Sequence, residues 1–507
     1  MTDDPRPPEG EPEPEPEAEE VGFREAEVLA ARRESLTRLE AAGIPPFALG
    51  FPQDTWAADV AQEFGDRLEP GEESDRRASV AGRVVLARRL GKLTFLVIRD
   101  RTGDLQLFCE QDTLGDAYAL LEEIDLGDIV GAAGVVVRTK RGELSLKVDA
   151  LTMLTKTLRP LPDKWHGLKD PDLQQRRRYL HLIADETPRR YFLARAEVLR
   201  TIRAVLHEQG YVEFEGPVLQ SVAGGANARP FTTHHATLDV PMKLRISLEL
   251  YLKRMLVGGI ERVYEIGRNF RNEGIDRDHN PEFTMLEAYQ AYGDYGTMMD
   301  LTERLIVGAA ESAVAGSVVP WGEKSIDFTP PFARRTYYEL FAEHTGIDPA
   351  DDLAVARLAT EIGFETTGKH PDVIRNEIFE ERVEDQLRGP IFVIDYPASI
   401  CPLTKRKRGN PALAERFELF VEGMEIANAY TELNDPDLQE ELFRTQLAGQ
   451  RDEDSMAKMD HDFVRALRHG MPPAGGLGLG IDRLVMLLTN SASIRDVVLF
   501  PLMRHES

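Results

Sequence analysis

Hydrophobic positions recur along this chain with two different periods, and the period predicts the element. From Phe23 to Ala42 a partial stripe of Val28, Leu29, Leu36 and Leu39 predicts an amphipathic helix, with a solvated face and a face for RNA equally open for its polar side. Between 79 and 155 the pattern changes to short β-type runs punctuated by Thr102-Gly103 and Arg141-Gly142. These predict strands at Ser79–Ala87, Leu93–Asp100, Asp104–Cys109, Ile129–Lys140 and Leu144–Leu154, with one helix over Asp116–Ile124 capped by Asp116. A longer helix follows, with Thr187 as its cap, Pro188 in its first turn and Gly210 at its end. Phe192, Leu199, Ile202 and Leu206 give it one buried face, and a strand, Tyr211–Glu215, leads from it to Pro217. Val263–Ile266 and Met285–Tyr289 read as strands on either side of a polar loop. Glycines 476, 478 and 480 precede an apolar helix, Ile481–Leu488, with Arg483 in its first turn.

Five short strands with a helix before the fourth predict a small barrel of the oligonucleotide-binding (OB) type. The remainder mixes helices and strands without βαβ alternation, so the whole belongs to the α+β class. At 507 residues, two or three domains are expected. Charged and hydrophobic fractions of 29% and 42% are those of a soluble globular protein. No apolar run approaches the roughly 18 residues needed to span a bilayer, so no membrane partner is expected. The Glu-Pro alternation of Glu11–Glu17 cannot pack a core; residues 1–22 are expected to be a disordered acidic tail, opposite in character to a secretory signal. Cys109 and Cys401 lie far apart and form no C-x-x-C, so neither a disulfide framework nor structural zinc is expected, and a reducing cytoplasm is. The net charge of -26 speaks against long-range attraction to nucleic acid. Nine acids against one arginine in residues 1–22 place eight of those charges on the tail, and basic runs stand at Arg176–Arg178 and Lys405–Arg408. Local basic patches on an acidic protein still suit RNA.

The densest candidate chemistry is F-R-N-E-G-I-D-R-D-H-N-P-E-F-T, Phe270 to Thr284. A strand–loop–strand carrying an arginine, acids and an exposed aromatic is suited to a nucleotide: guanidinium on phosphate, ring on base, carboxylate on amino group. Arg483, among apolar neighbours, needs an anion or a ring to face. There is no P-loop and no G-x-G-x-x-G opening a helix. The Phe270–Thr284 hairpin resembles motif 2 of the class II aminoacyl-tRNA synthetases, G-G-L-G-L-G-I-D-R-L-V-M-L-L-T (475–489) resembles motif 3, and the Pro188–Pro217 unit resembles motif 1. Together with G-G-A-N-A-R-P-F (224–231), E-L-Y-L-K-R (249–254), M-E-I-A-N-A-Y-T-E-L-N-D (424–435) and L-P-D-K-W-H-G-L (161–168), they resemble the bacterial-type class II lysyl-tRNA synthetases from about Phe23 to the C-terminus.

That resemblance implies a ligase that activates L-lysine with ATP and transfers the lysyl group to the 3′ end of tRNA(Lys). It implies a disordered tail (1–22), a helical segment (23–70), an OB-fold anticodon-binding domain (71–157), a linker (158–178) and a class II catalytic domain (179–507), paired as a homodimer through the motif 1 region. By the same resemblance Arg271 bridges the amino-acid carboxylate and the α-phosphate, and adenine lies between Phe283 and Arg483, with Glu273 and His279 nearby. Glu418 and Glu425 match magnesium ligands. The lysine contacts are Gly225, Glu249, Arg271, Glu287, Tyr289, Asn428, Tyr430 and Glu432, with Glu249 on the α-ammonium and Glu287 and Glu432 flanking the ε-ammonium. Phe95, Gln106 and Glu143 match anticodon readers. Asp278, Gly216 and Ala427 depart from the family pattern, and Asp278 falls where the triphosphate tail is contacted. A non-catalytic RNA-binding paralogue would lose ATP residues first, yet Arg271, Phe283 and Arg483 are all present. Protein-lysylating paralogues lack the barrel, and lipid-lysylating fusions carry membrane spans.

Overall fold

Alternating burial closes the first set of strands into a barrel. In the computed structural model, which describes residues 23–161, 168–226, 228–447 and 460–504, these are β1 (Glu73–Leu90), β2 (Leu93–Arg99), β3 (Asp104–Glu110), β4 (Ile129–Arg138) and β5 (Leu144–Thr155). They form a closed barrel in the order β1-β2-β3-β5-β4, with only β3 and β5 parallel. Val80, Val84, Leu96, Ile98, Leu107, Val130, Leu146 and Val148 point inward and are fully buried. Closure leaves no unpaired edge. The expected helix at Asp116–Ile124 is instead one α-turn, Gln111–Leu114, and a 3-10 stretch, Gly115–Glu122. Asp116 caps nothing there, because the chain has already turned at Gly115 (φ +56°) before it. The first helix, α1 (Phe23–Ala41), is as expected in length, but Val28 is exposed and the buried positions are Arg32, Ser35 and Leu39. Polar bonds seat it: Arg32 donates to the carbonyls of Leu126 (2.8 Å), Thr157 (3.0 Å) and Arg159 (2.8 Å), and Ser35 to Glu123 (2.6 Å). A second helix, α2 (Ala57–Phe64), packs Ala57, Val60 and Phe64 into the same core.

The chain divides into two units, Met1–Gly167 and Leu168–Ser507. In the second, eight strands form one sheet: β6 (Val212–Glu213), β7 (Arg262–Phe270), β8 (Glu282–Ala291), β9 (Ala333–Thr336), β10 (Ile391–Ile394), β11 (Arg416–Val421), β12 (Met424–Thr431) and β13 (Ala474–Gly480). Their order is β9-β10-β11-β12-β13-β8-β7-β6. All inner pairs are antiparallel and only the two edge pairs are parallel. One face carries Leu286, Ala288, Ala429, Leu477 and Leu479, which bury against α3 (Glu186–Glu208), α5 (Tyr295–Val314) and α6 (Ile481–Thr489). Helix α4 (Glu249–Val257) packs beside Val263 and Tyr289.

Helix α3 begins two residues earlier than a cap at Thr187 predicts. Asp185 is the cap, its carboxylate accepting from Thr187 N (2.8 Å), and the buried stripe is Pro188, Val198, Ile202 and Leu206, with Phe192 and Leu199 half-buried. Gly210 (φ +79°) follows its end as expected. The strand after it shortens to Val212–Glu213. Asp170 caps a helix, Pro171–Arg176, inside the stretch read as linker. The tail 1–22, most of the 161–168 motif and Asn227 lie outside the described residues. Among described residues no helix is long and apolar enough to cross a membrane.

Candidate active site

Strand register assembles the site on the sheet face opposite α3, α5 and α6. Glu418 pairs with Asn428, Asn428 with Gly478, and Gly478 with Glu287, so these four form one row across β11, β12, β13 and β8. The row on the same face two residues along is Arg416, Tyr430, Gly476 and Tyr289. Between them runs the apolar row Phe417, Ala429, Leu477 and Ala288, which faces the helices. A one-residue slip of any strand would exchange polar for apolar groups, so burial of the core row locks the site row in place.

Glycine at the two β13 positions makes room for side chains. The sequence suggests close approach of backbone to ligand; the coordinates give another reason. A Cβ on Gly476 would lie 1.9 Å from Glu432 Oε1 and 2.5 Å from Tyr289 Cε1, and one on Gly478 would meet Met285 Cε at 2.9 Å. The rows open onto a cavity of about 590 Å³. Gly225, Glu249, Arg271, Glu273, His279, Phe283, Glu287, Tyr289, Glu418, Glu425, Asn428, Tyr430 and Arg483 all line it. Glu432 does not; it is fully buried beside Lys253 and Tyr289.

At one end of the cavity stand the basic and aromatic groups. Arg271 leaves β7, donates weakly to Ile246 O (3.4 Å), and lies over the Phe283 ring at 5.0 Å. Burial pushes its pKa down, opposed by Glu273, Glu425 and Glu287. Arg483 donates to Glu425 O (2.7 Å), sits 3.6 Å from the Glu425 carboxylate, and contacts His279 Nε2 at 3.0 Å. His279 Nδ1 in turn meets Asp276 at 2.8 Å. Asp276 also accepts from the backbone of Asp278 (2.7 Å) and His279 (2.8 Å), which shapes the loop. Asp278 is paired with its neighbour Arg277 at 3.1 Å. Asp482, beside Arg483, accepts from Thr284 N (2.6 Å) and pairs with Arg195 of α3, tying the three motif-like segments at one carboxylate.

At the other end stand carboxylates. Glu287 accepts from Ser247 Oγ (3.0 Å), Leu248 N (2.9 Å) and the Tyr289 hydroxyl (2.9 Å). Burial, with Glu249 nearby, still raises its pKa to about 7. Glu432 is raised to about 8 by burial, against the pull of Lys253. Gly225, at φ +88°, packs its backbone against Ser247 and Glu249, where a Cβ would fall 2.9 Å from Ser247 Oγ.

Glu418 and Glu425 sit on adjacent strands joined by a two-residue turn, Glu422-Gly423, with φ of +51° and +78°. Positive φ at both positions matches the right-handed twist of the flanking strands. Glu418 accepts from Tyr396 (2.6 Å) and Asn428 (3.0 Å) and is paired with Arg416. Burial raises its pKa, partly opposed by Arg416. Among the described residues no three acids, histidines or cysteines cluster as a metal cage.

Both basic runs are largely consumed within the fold. Arg178 is buried and donates to the carbonyls of Leu499 (3.2 Å) and Arg495 (2.7 Å), while Arg176 pairs with Asp172. Lys407 pairs with Asp395, and Arg408 with Glu415 (3.1 Å) and Asp294 (3.1 Å). On the barrel, Phe95 stacks on Phe108 (5.3 Å, 15°), and Gln106 donates to Ser145 Oγ (2.8 Å). Both are half-buried on the outward side of β2 and β3, and Glu143 is exposed just before β5. Phe108, Ser247, Lys253, Arg416 and Asp482 are site groups that sequence reading passed over. Only Lys253 left a trace, four residues after Glu249 on a short helix.

Residues 170–504 match the family model described as tRNA synthetases class II (D, K and N), and residues 78–154 match that of the OB-fold nucleic acid binding domain. The chain is 49% identical over 487 residues to the lysine–tRNA ligase of Moorella thermoacetica, covering 95% of this chain and 98% of that protein. It is 47% identical over 500 residues to that of Thermosynechococcus vestitus (96% and 99%), and 46% identical over 497 residues to that of Halalkalibacterium halodurans (96% and 99%).

Proposed function

The chain belongs to the class II lysine–tRNA ligases, and from that premise we propose that its cavity activates L-lysine with ATP and passes the lysyl group to tRNA(Lys). The observation that carries this reading is a trio of buried acids: Glu249 and Glu287 line one end of the cavity, and Glu432 is buried next to that end, beside Tyr289 and Lys253. An aspartate or asparagine pocket needs an unspent cation or amide there. The cations bordering this end are already paired, Lys253 with Glu249 and Glu432, and Arg416 with Glu418.

In the first step the lysine carboxylate attacks the α-phosphorus of ATP, and pyrophosphate leaves. This chemistry needs alignment and charge stabilisation more than a protein nucleophile. Arg271 orients the carboxylate and the α-phosphate with one planar fork, and the low dielectric around it strengthens both contacts. Adenine stacks between Phe283 and Arg483, while Glu273 and His279 complete its surroundings. Glu249 takes the α-ammonium; Glu287, Tyr289 and Glu432 select the ε-ammonium, with Gly225, Asn428 and Tyr430 shaping the walls. In the second step a ribose hydroxyl of the tRNA 3′ end attacks the lysyl carbonyl of the adenylate; the ester forms, the mixed-anhydride bond breaks, and AMP leaves with release of the hydroxyl proton.

Magnesium fits the donor set. Glu418 and Glu425 offer two hard carboxylates beside the phosphate-facing groups, and magnesium is usually held by one or two carboxylates together with substrate phosphates. Held there, it would supply positive charge that stabilises the departing pyrophosphate. Residues 71–157 are proposed as the anticodon-binding domain, with Phe95, Gln106 and Glu143 reading the anticodon, and 179–507 as the catalytic domain. A homodimer through the α3 region is supported by exposed Tyr179, Leu193, Phe500 and Leu502 in this unit. Two unpaired, buried cysteines suit a cytoplasmic location.

ATP–pyrophosphate exchange with lysine, aspartate and asparagine in turn, followed by charging of purified tRNAs, tests the reading. Exchange driven by lysine and charging of tRNA(Lys) are expected. Exchange with aspartate or asparagine in place of lysine overturns the pocket assignment.

A further inference from the structure

A buried cation stands beside the acidic end of the cavity. Lys253 stands one helical turn after Glu249 on α4, and its side chain is fully buried. Its ammonium lies 2.5 Å from Glu249 Oε1 and 2.5 Å from Glu432 Oε2, and 6.0 Å from the centre of the Tyr289 ring. Glu432 has 0% exposure, and apart from this ion pair neither of its oxygens accepts a hydrogen bond from a described group. A carboxylate so placed is costly unless a cation stays beside it.

The charges here can be counted. Glu249 reaches in from α4, Glu287 and Tyr289 from β8, Tyr430 from β12 and Glu432 from just beyond it. Three carboxylates and one ammonium leave two negative charges uncompensated. Lysine brings two ammonium groups to this end, and its carboxylate goes to Arg271. A pocket of three bare carboxylates would hold protons instead of a second ammonium, because like charges at close range cannot all ionise.

Resting on the proposed lysine site, we propose that Lys253 is a positioning residue that sets the charge of the pocket. Its built-in ammonium pins Glu249 and Glu432 in place and offsets one of the three acids, so that two negative charges are left for a diamino acid to meet when it draws the acids into their ionised forms. Burial works against charge on Lys253, but Glu249 and Glu432 outweigh it and raise its pKa. Lys253 is likewise the foremost influence lowering the pKa of Glu432. Lys253 touches no reacting atom; it acts through the two acids.

The test is lysine-dependent ATP–pyrophosphate exchange between pH 6 and 9 for the whole enzyme, its Lys253→Met variant and its Lys253→Arg variant. Lys253→Met is expected to raise KM for lysine about tenfold or more while KM for ATP stays within about twofold. The pH at which lysine KM levels off moves up by about one unit, and Lys253→Arg keeps the original profile with a milder KM change. An unchanged lysine KM, or equal losses for ATP and lysine with an unmoved pH profile, overturns the proposal. Should Lys253→Met not fold, Glu432→Gln and the double variant decide. The double variant restores the count of two negative charges and binds lysine better than Glu432→Gln alone; weaker binding by the double variant overturns the proposal. Exchange of the unaltered enzyme with an amino acid other than lysine would refute the function itself, and is distinguishable from these outcomes.

Discussion

Glu287, the proposed contact to the ε-ammonium, ties the pH dependence of lysine binding to a single residue. Its carboxylate is fully ringed by donors from Ser247, Leu248 and Tyr289, yet burial and Glu249 still raise its pKa to about 7. Glu432 is raised to about 8. In the empty enzyme both groups are therefore partly protonated near neutral pH, whereas the lysine ammonium favours their ionised forms. Binding must release protons below about pH 8, so lysine affinity rises from pH 6 to 8 and then levels off until the ε-ammonium itself titrates, near ~10.4. Calorimetry in buffers of different ionisation enthalpy should record this release at pH 7 and little of it at pH 8.5. A flat KM for lysine across that interval would contradict it. Glu287→Gln keeps the shape and removes the charge; truncating one side of a buried charged contact costs about 2–5 kcal/mol, so kcat/KM for lysine falls on the order of 10²-fold or more. KM for ATP should barely change in the same exchange assay.

Elements, unlike single side chains, were largely legible from the chain. The barrel strands and the hairpin β7–β8 announce themselves because period-2 alternation is a direct imprint of a half-buried sheet. Helix α3 was legible in extent, but its cap fell on Asp185 and its stripe on Val198, since several neighbouring residues satisfy the same local rule and packing chooses among them. The Arg178 and Lys407–Arg408 side chains looked like RNA contacts, whereas folding brings Asp395, Glu415, Asp294 and two backbone carbonyls to them from remote sequence. Lys253 was hidden for the same reason, because Glu432 reaches it only through the sheet. The glycine strand β13 was recognised, but its purpose depended on cross-strand register. That purpose yields a contrast between two substitutions. Gly476→Ala drives a methyl into Glu432 and the Tyr289 ring and should reduce lysine activation about 10²-fold or more. Gly478→Ala meets only the flexible end of Met285 and should cost less than about tenfold. Pyrophosphate exchange on both variants, with circular dichroism to confirm folding, separates them; equal effects would mean that β13 does not shape the lysine end.

At the scale of the whole molecule, the proposed roles place activation and RNA selection on different surfaces. The proposed lysine and ATP site lies in the cavity of the second unit, while the outward side of β2 and β3 offers a stacked Phe95–Phe108 pair and the Gln106 side chain. Stacking an unpaired base on an aromatic ring contributes about 1–3 kcal/mol, and edge contacts supply selectivity. Phe108 supports the back of the Phe95 ring, so Phe95→Ala removes the platform and leaves the barrel core, which lies on the other side of the strands, intact. That variant is expected to keep lysine-dependent pyrophosphate exchange unchanged. Its KM for tRNA(Lys) in the charging assay should rise about 5- to 100-fold with kcat little altered. Since the protein carries a formal charge of -26 and its basic runs are mostly paired internally, little diffuse attraction to RNA remains to mask the loss. Raising the salt concentration should therefore weaken tRNA binding of the variant and the unaltered enzyme in parallel, because the ring contributes stacking and no phosphate charge. An unchanged KM for tRNA(Lys) would remove Phe95 from the RNA contact, whereas a fall in pyrophosphate exchange would place its effect in folding.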